Sequence, residues 1–304
     1  MNELSQAILQ TINYFDVFEY PLTSWEVKKF LWNYAGRATQ TDIEKQLNLF
    51  ADNKILGTIE GFYFLPGKAK LVEVRKQNYL QGQEKMKIAL KYAKLISKLP
   101  FVKTIFITNK LSYLNAAPAS DLDLAIITSK NRIWTARLFA TGFLKLLGKR
   151  PKPNNQQNKV CLSFYITEDK LSLEAAAYEH DIHFQYWVKQ WLPIYDAGNY
   201  ANEFFMANGW IDKNLQNFFE TKTSARWQIK KNSAHKKLFE TLLGKWFETL
   251  AKNLQIKIMP KQLKTLAEEP NSNVIISNEL LKFHDKDRRM EYKLAWENKN
   301  KNLL

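Results

Sequence analysis

The chain has 304 residues, room for two or three domains, and its 45% apolar and 13% aromatic content suits packed cores and excludes a disordered chain. Its net charge of +15 favours a polyanionic partner (nucleotide triphosphate, nucleic acid or an acidic surface), although a Lys-rich solvated surface produces the same number. The charge is uneven: residues 1–75 carry 8 basic and 9 acidic side chains, residues 76–220 carry 19 and 12, and residues 221–304 carry 18 and 9, so the positive field belongs to the middle and the tail.

Residues 2–14 place Leu4, Ile8, Leu9 and Ile12 at helical spacing, without the basic and apolar regions of a signal peptide. Thr23-Ser24-Trp25-Glu26 is a capping box that opens a second helix, and Thr41-Asp42-Ile43-Glu44 opens a third. Runs at 55–59 and 62–65, joined around Glu60-Gly61, predict a hairpin. Residues 1–75 therefore predict a winged helix, a module that often reads DNA with its third helix. That helix carries Asp42, Glu44 and Asp52 against Lys45, and phosphate contacts need positive charge, so packing or partner binding is the expected role. Residues 76–98 predict a long helix with Leu80, Met86, Leu90, Ala93 and Ile96 as its apolar stripe, stopped before Pro100.

An apolar strand follows at 102–107 and another at 121–128, opened by Asp121 and Asp123. The side-chain period of a strand is two, so both carboxylates share one face while Leu122 and Leu124 point into the core. Two neighbouring carboxylates at a buried strand are costly unless a cation sits on them, and a hard ion such as Mg²⁺ takes oxygen ligands. Residues 132–147 are nearly apolar all round, predicting a buried helix that stops at Gly148. Arg137 and Lys145 interrupt this stretch, the closest approach to a membrane span, so no membrane partner is expected. Arg137 needs an anion there: either a structural ion pair or a bound phosphate, with Arg132 assisting. The basic loop 149–159 is either a substrate contact or a connector. Strand 160–167 holds the single cysteine, Cys161, which forms no internal disulfide and fits a cytoplasmic protein.

Residues 173–191 predict a helix with His180 and His183 on one face, but zinc needs a third ligand that no nearby spacing supplies. The His180-Asp181 and His284-Asp285 pairs lack the helical framework of an HD-type phosphohydrolase. Residues 201–219 and 236–254 predict amphipathic helices, and Asn271 to Ile276 a connector. A final basic helix runs to Lys301.

The order strand 102–107, short turn-helix, strand 121–128, helix 132–147 and strand 160–167 resembles the minimal DNA polymerase β-type nucleotidyltransferase fold, in a small bacterial-type group with an N-terminal winged helix. In that family a Gly-Ser pair begins the turn-helix ahead of the Asp-x-Asp strand, where this chain has Thr108-Asn109-Lys110-Leu111-Ser112-Tyr113. The resemblance implies an α+β protein: a winged helix over 1–75, a core over 76–195 with a mixed sheet and helices, and a helical C-terminal region over 196–304. It implies Mg²⁺ or Mn²⁺ on Asp121 and Asp123, and an NTP, ATP first, at Thr108, Asn109, Lys110, Ser112 and Arg137. NMP would pass to a hydroxyl on an unidentified acceptor, nucleic acid or protein, releasing pyrophosphate. The pattern departs twice: Asn109-Lys110 replaces Gly-Ser, and the third carboxylate falls on Ser163, with Glu168 and Asp169 as substitutes just beyond the strand. Asn109 is the next best residue to glycine for a left-handed backbone, and Lys110 either meets phosphate or blocks it. A catalytically degraded member, binding nucleotide, nucleic acid or a protein without turnover, is the alternative.

Overall fold

Polar caps start the N-terminal helices of this computed structural model, which describes residues 1–152, 154–220, 223–231, 240, 243–269 and 272–301. Asn2 caps α1 (Glu3–Asp16), and the Thr23–Glu26 capping box opens α2 (Ser24–Lys29). α3 (Gln40–Asp52) starts earlier than expected, because Thr39 and Asp42 form the reciprocal box while Glu44 accepts from Ser24 and Gln40. β1 (Leu22–Thr23), β2 (Gly57–Ile59) and β3 (Phe62–Phe64) form an antiparallel sheet in the order β1-β3-β2. Glu60 and Gly61 turn the hairpin with φ of 52° and 79°, the left-handed pair that matches strand twist.

α4 (Lys70–Ile96) begins ahead of the expected residue 76, since nothing between Pro66-Gly67 and Pro100 breaks it. The main sheet contains β4 (Val102–Ile107), β5 (Leu122–Thr128), β6 (Val160–Thr167), β7 (Leu192–Asp196), β8 (Val274–Ile276) and β9 (Leu280–Phe283), in the order β7-β4-β5-β6-β9-β8. Only β5 and β6 pair in parallel, with α6 (Ile133–Leu146) as their crossover; the other neighbours are antiparallel. Between β4 and β5 stands the short α5 (Asn109–Ser112).

The C-terminal third differs from expectation. It is not simply helical: the segment expected as a connector contains β8, which pairs with β9, and β9 pairs with β6. Runs of three or four residues carry too little pattern to reveal strands until a sheet edge is there to receive them. The helix expected over 173–191 is a 3₁₀ turn at Glu174–Ala176 and then α7 (Ile182–Lys189), separated by His180 at φ 57°. α8 (Tyr200–Ala207) ends at Asn208-Gly209 rather than running to 219. α9 (Lys245–Ile258) supplies the end of the helix expected over 236–254, while 236–239 and 241–242 lie outside the described residues. α10 (Lys261–Glu268) and α11 (Arg289–Asn300) follow.

The result is a mixed α+β fold. One face of the main sheet, with Phe106, Ala125, Ile127, Phe164 and Ile166, joins α7, α8 and the N-terminal helices in one apolar cluster. The other face, with Ile105, Leu122, Leu124, Ile126 and Tyr165, packs on α4, α6 and α9. Asp123 alternates with Leu122 and Leu124, which turns it to the first face. No described helix is long and apolar enough to cross a membrane.

Candidate metal and nucleotide site

Asp121 immediately precedes β5 and Asp123 is its second residue. The Thr108 amide donates to the Asp123 carbonyl at 3.1 Å, and Leu122 N donates to Lys159 O at 2.8 Å, which pins both ends of the segment. Ligand atoms of Asp121, Asp123 and Cys161 lie within 4.8 Å of one another, the only such His/Cys/Asp/Glu cluster among the described residues. Burial, then the Asp121 charge, pushes the Asp123 carboxyl up to about 7, against hydrogen bonds from the Asn109 side chain and the Cys161 thiol. Burial also raises Asp121, partly offset by its backbone hydrogen bond and by the charges of Lys85 and Arg150. Lys85 comes from α4; its Nζ donates to Ser120 O at 2.7 Å and Asn158 Oδ1 at 2.9 Å, holding the approach to Asp121. The helical pattern gave no hint of Lys85, one lysine among many on α4. Within the basic loop, Asn158 is thus structural; Pro153 lies outside the described residues.

The third position is a correction. Asp123 stands opposite Cys161, and Ala125 opposite Phe164, so β6 carries one residue more than β5 across this interval. Without this bulge Leu162 would stand opposite Asp123; with it Cys161 does, and Cys161 rather than Ser163 joins the aspartates. The Ser163 hydroxyl donates to the Cys161 sulfur, while burial and then the Asp123 and Asp121 charges push that thiol well up. Glu168 and Asp169 do not substitute. They lie beyond the far end of β6, where Glu168 accepts from Lys130 N at 3.1 Å and Asp169 pairs with the Lys130 ammonium at 3.0 Å.

Asn109 takes the left-handed backbone expected of it, with φ 55°. Its Oδ1 accepts from Trp187 Nε1 at 2.6 Å while the same side chain bonds Asp123, so the turn, α7 and the carboxylate are tied through one amide. Ser112 Oγ donates back to Asn109 O at 2.7 Å, which closes the turn. Thr108 is buried at its start, and Lys110 is exposed.

Arg137 is not brought to this group. It sits on α6, against the opposite sheet face, with Nη1 donating to Gln255 Oε1 at 2.6 Å and its guanidinium 4.5 Å from the Phe283 ring centroid. Neither the ion pair nor the phosphate expected for it has a carboxylate or a shared site behind it; an amide and an aromatic face take its charge among the described residues. Arg132 likewise donates to Gly244 O at 2.9 Å. The histidine pair does not form: His180 is exposed ahead of α7, whereas His183 Nδ1 meets the Tyr14 hydroxyl at 2.9 Å. No protein-family model matches the chain, and no curated protein or solved structure is significantly similar to it.

Proposed function

We propose that this chain is a nucleotidyltransferase that moves NMP from an NTP, ATP first, to a hydroxyl acceptor on nucleic acid or protein, in the cytoplasm. The observation that carries the reading is the half-buried Asp121–Asp123 pair at the start of β5, within one 4.8 Å cluster with Cys161. A carboxyl held up to about 7 by burial and a neighbouring carboxylate is a group short of a cation, and two hard oxygen ligands suit Mg²⁺ or Mn²⁺. Bound there, the ion would supply Lewis-acid polarisation and charge neutralisation at the α-phosphate. The chain's own part is positional: Asn109 fixes both the turn and the Asp123 carboxylate, and exposed Lys110 offers charge to the triphosphate. On this reading residues 1–75 are a winged helix used for packing or partner binding, and 76–195 are the catalytic core.

One observation favours a second reading. Cys161, its thiol pushed up by burial and the neighbouring carboxylates, stands opposite Asp123 where this reading needs a third carboxylate, which suits a site that holds cation and nucleotide without turnover. Calorimetry of ATP with Mg²⁺ tests both readings together. The Asp121→Asn/Asp123→Asn double variant is expected to lose Mg²⁺-dependent binding while keeping its fold, and undiminished affinity sinks both. ATP labelled at the α-phosphate, supplied with cell extract, then separates them. Label transfer with pyrophosphate release marks the enzyme; binding without release marks the degraded site.

A further inference from the structure

Between α7, β9 and the start of α11 lies a cleft of about 170 Å³ whose inner wall carries polar atoms that no described residue satisfies. Lys282 is 2% exposed, lines this cleft, and has no hydrogen-bond partner for its Nζ among the described residues. The Phe184 ring centroid lies 5.2 Å from this ammonium. Nδ1 of His284 and Oδ1 of Asn273, both buried and both without a partner among the described residues, belong to the same wall. Native interiors leave few polar atoms unmet, and three gathered on one void indicate a ligand or ordered water.

The surrounding charges set the sign of that ligand. Arg289 bonds Asp287 through Nε and Nη2 and Asp181 through Nη1 at 2.8 Å, so the two carboxylates nearest the cleft already have their cation. Asp287 also accepts from the Tyr178 hydroxyl at 2.6 Å. Lys282 is the cation left without a hydrogen-bond partner among the described residues: its charge and that of Arg289 balance Asp181 and Asp287, and Lys286 adds positive charge at the exposed mouth, where Arg288 pairs with Glu291 at 2.8 Å. Burial, then the Arg289 charge, holds the Lys282 ammonium down to about 7, a strain that a bound anion relieves.

We propose that this cleft binds a phosphate-class oxyanion, either inorganic phosphate or the phosphoryl end of a phosphomonoester, with Lys282 as its principal ligand and His284 and Asn273 as hydrogen-bond partners. Hydrogen phosphate, or a phosphomonoester in its singly protonated form, offers acceptors to the ammonium and the imidazole and a P–OH donor to Asn273 Oδ1; an ionised carboxylate has no such donor. The volume is below the roughly 300–1,000 Å³ of sites that enclose whole small molecules, so a phosphoryl group enters rather than an entire nucleotide. Asn109 lines the cleft and bonds Asp123, which places the cleft next to the carboxylate pair without sharing its ligands. The proposal stands whether or not the pair holds a metal.

The test is calorimetric titration of the full chain with inorganic phosphate, in EDTA at constant ionic strength. Saturable binding is expected, weakened at least tenfold by Lys282→Met and unchanged by Asp121→Asn/Asp123→Asn. Phenyl phosphate distinguishes the two sources: equal binding assigns a phosphoryl end, and exclusion assigns free phosphate. Chloride matching phosphate, or full affinity in Lys282→Met, overturns the site. A second measurement serves if that variant fails to fold. In ¹³C-lysine-labelled unsubstituted protein the Lys282 side-chain resonance must move with phosphate, and a resonance that stays put overturns the proposal.

Discussion

Asn109 meets three demands at once: a φ of 55°, a bond to Trp187 and a bond to Asp123. Glycine satisfies the first better and the other two not at all. Asn109→Gly is therefore expected to lower stability by about 1–2 kcal/mol, the scale of one or two lost hydrogen bonds. Asn109→Ala should lose about 1 kcal/mol more, because a Cβ without a polar group is strained in the left-handed region. Urea denaturation of both variants checks the order. A second residue-scale prediction concerns pH. Burial, then the Arg289 charge, holds His183 down to about 4, so it stays neutral in the fold while the unfolded chain takes up a proton near the ordinary histidine value. Between those values the unfolded state binds more protons, so this contribution to stability is lost as pH falls from about 6.5 through about 4. His183→Phe removes it. The variant loses the Tyr14 bond at every pH, but its stability relative to the parent should improve on acidification by up to about 1.4 kcal/mol per unit across that window. Asp123, raised rather than lowered, runs the other way in both proteins and cancels from the difference. A pH-independent difference between them refutes the assignment.

Among the elements, α4 does more than lead into the sheet. A Cβ on Gly82 would lie 2.7 Å from the Leu114 carbonyl oxygen, so the missing side chain lets the helix press on the segment after α5. Helix propensity alone makes Gly82→Ala about 1 kcal/mol more stable. The clash is with backbone, which cannot swing aside, and overpacking of this kind costs about 1–3 kcal/mol. A net loss on the order of 1 kcal/mol is expected in thermal melts, and a net gain refutes the close approach. The β6 bulge shows how an element reassigns a site: the register of Ala125 to Thr128 would set Leu162 opposite Asp123, and one extra residue sets Cys161 there instead. Alternation along a single strand carries no trace of such a slip, because the bulge exists only relative to β5.

At the scale of the whole molecule the two ends of the chain hold each other. Asn13 Nδ2 donates to Asn300 Oδ1 at 2.9 Å, Trp296 Nε1 donates to Gln10 O at 2.9 Å, and Asp16 pairs with both Lys68 and Lys299 at 2.7 and 2.6 Å. Tyr14 stacks on Tyr186 of α7 with centroids 4.3 Å apart, and Tyr186 donates to Phe30 O at 2.7 Å. α1 should therefore lose protection when α11 is disturbed. Trp296→Ala, at a half-buried position, is expected to lower stability by about 2 kcal/mol and to speed amide exchange in α1 and α11 together. Faster exchange confined to α11 would show that the contact carries no coupling.

The sequence by itself determined the local features whose causes are local. The capping box at Thr23–Glu26, the left-handed Asn109, the strands at 102–107 and 160–167 and the shared face of Asp121 and Asp123 each depend on a few adjacent residues. Backbone preference and side-chain alternation act there within one turn or one strand. Only the tertiary structure decided the rest. It placed Cys161 beside the aspartates through a bulge, turned Arg137 to the other sheet face, and drew β8 and β9 from the tail onto the edge of β6. It also left Lys282 buried without a described partner beside Phe184, a situation built by three separate segments. Each of these depends on pairing or burial between residues distant in the chain, and no local pattern encodes which distant partner a strand edge or a charge will meet.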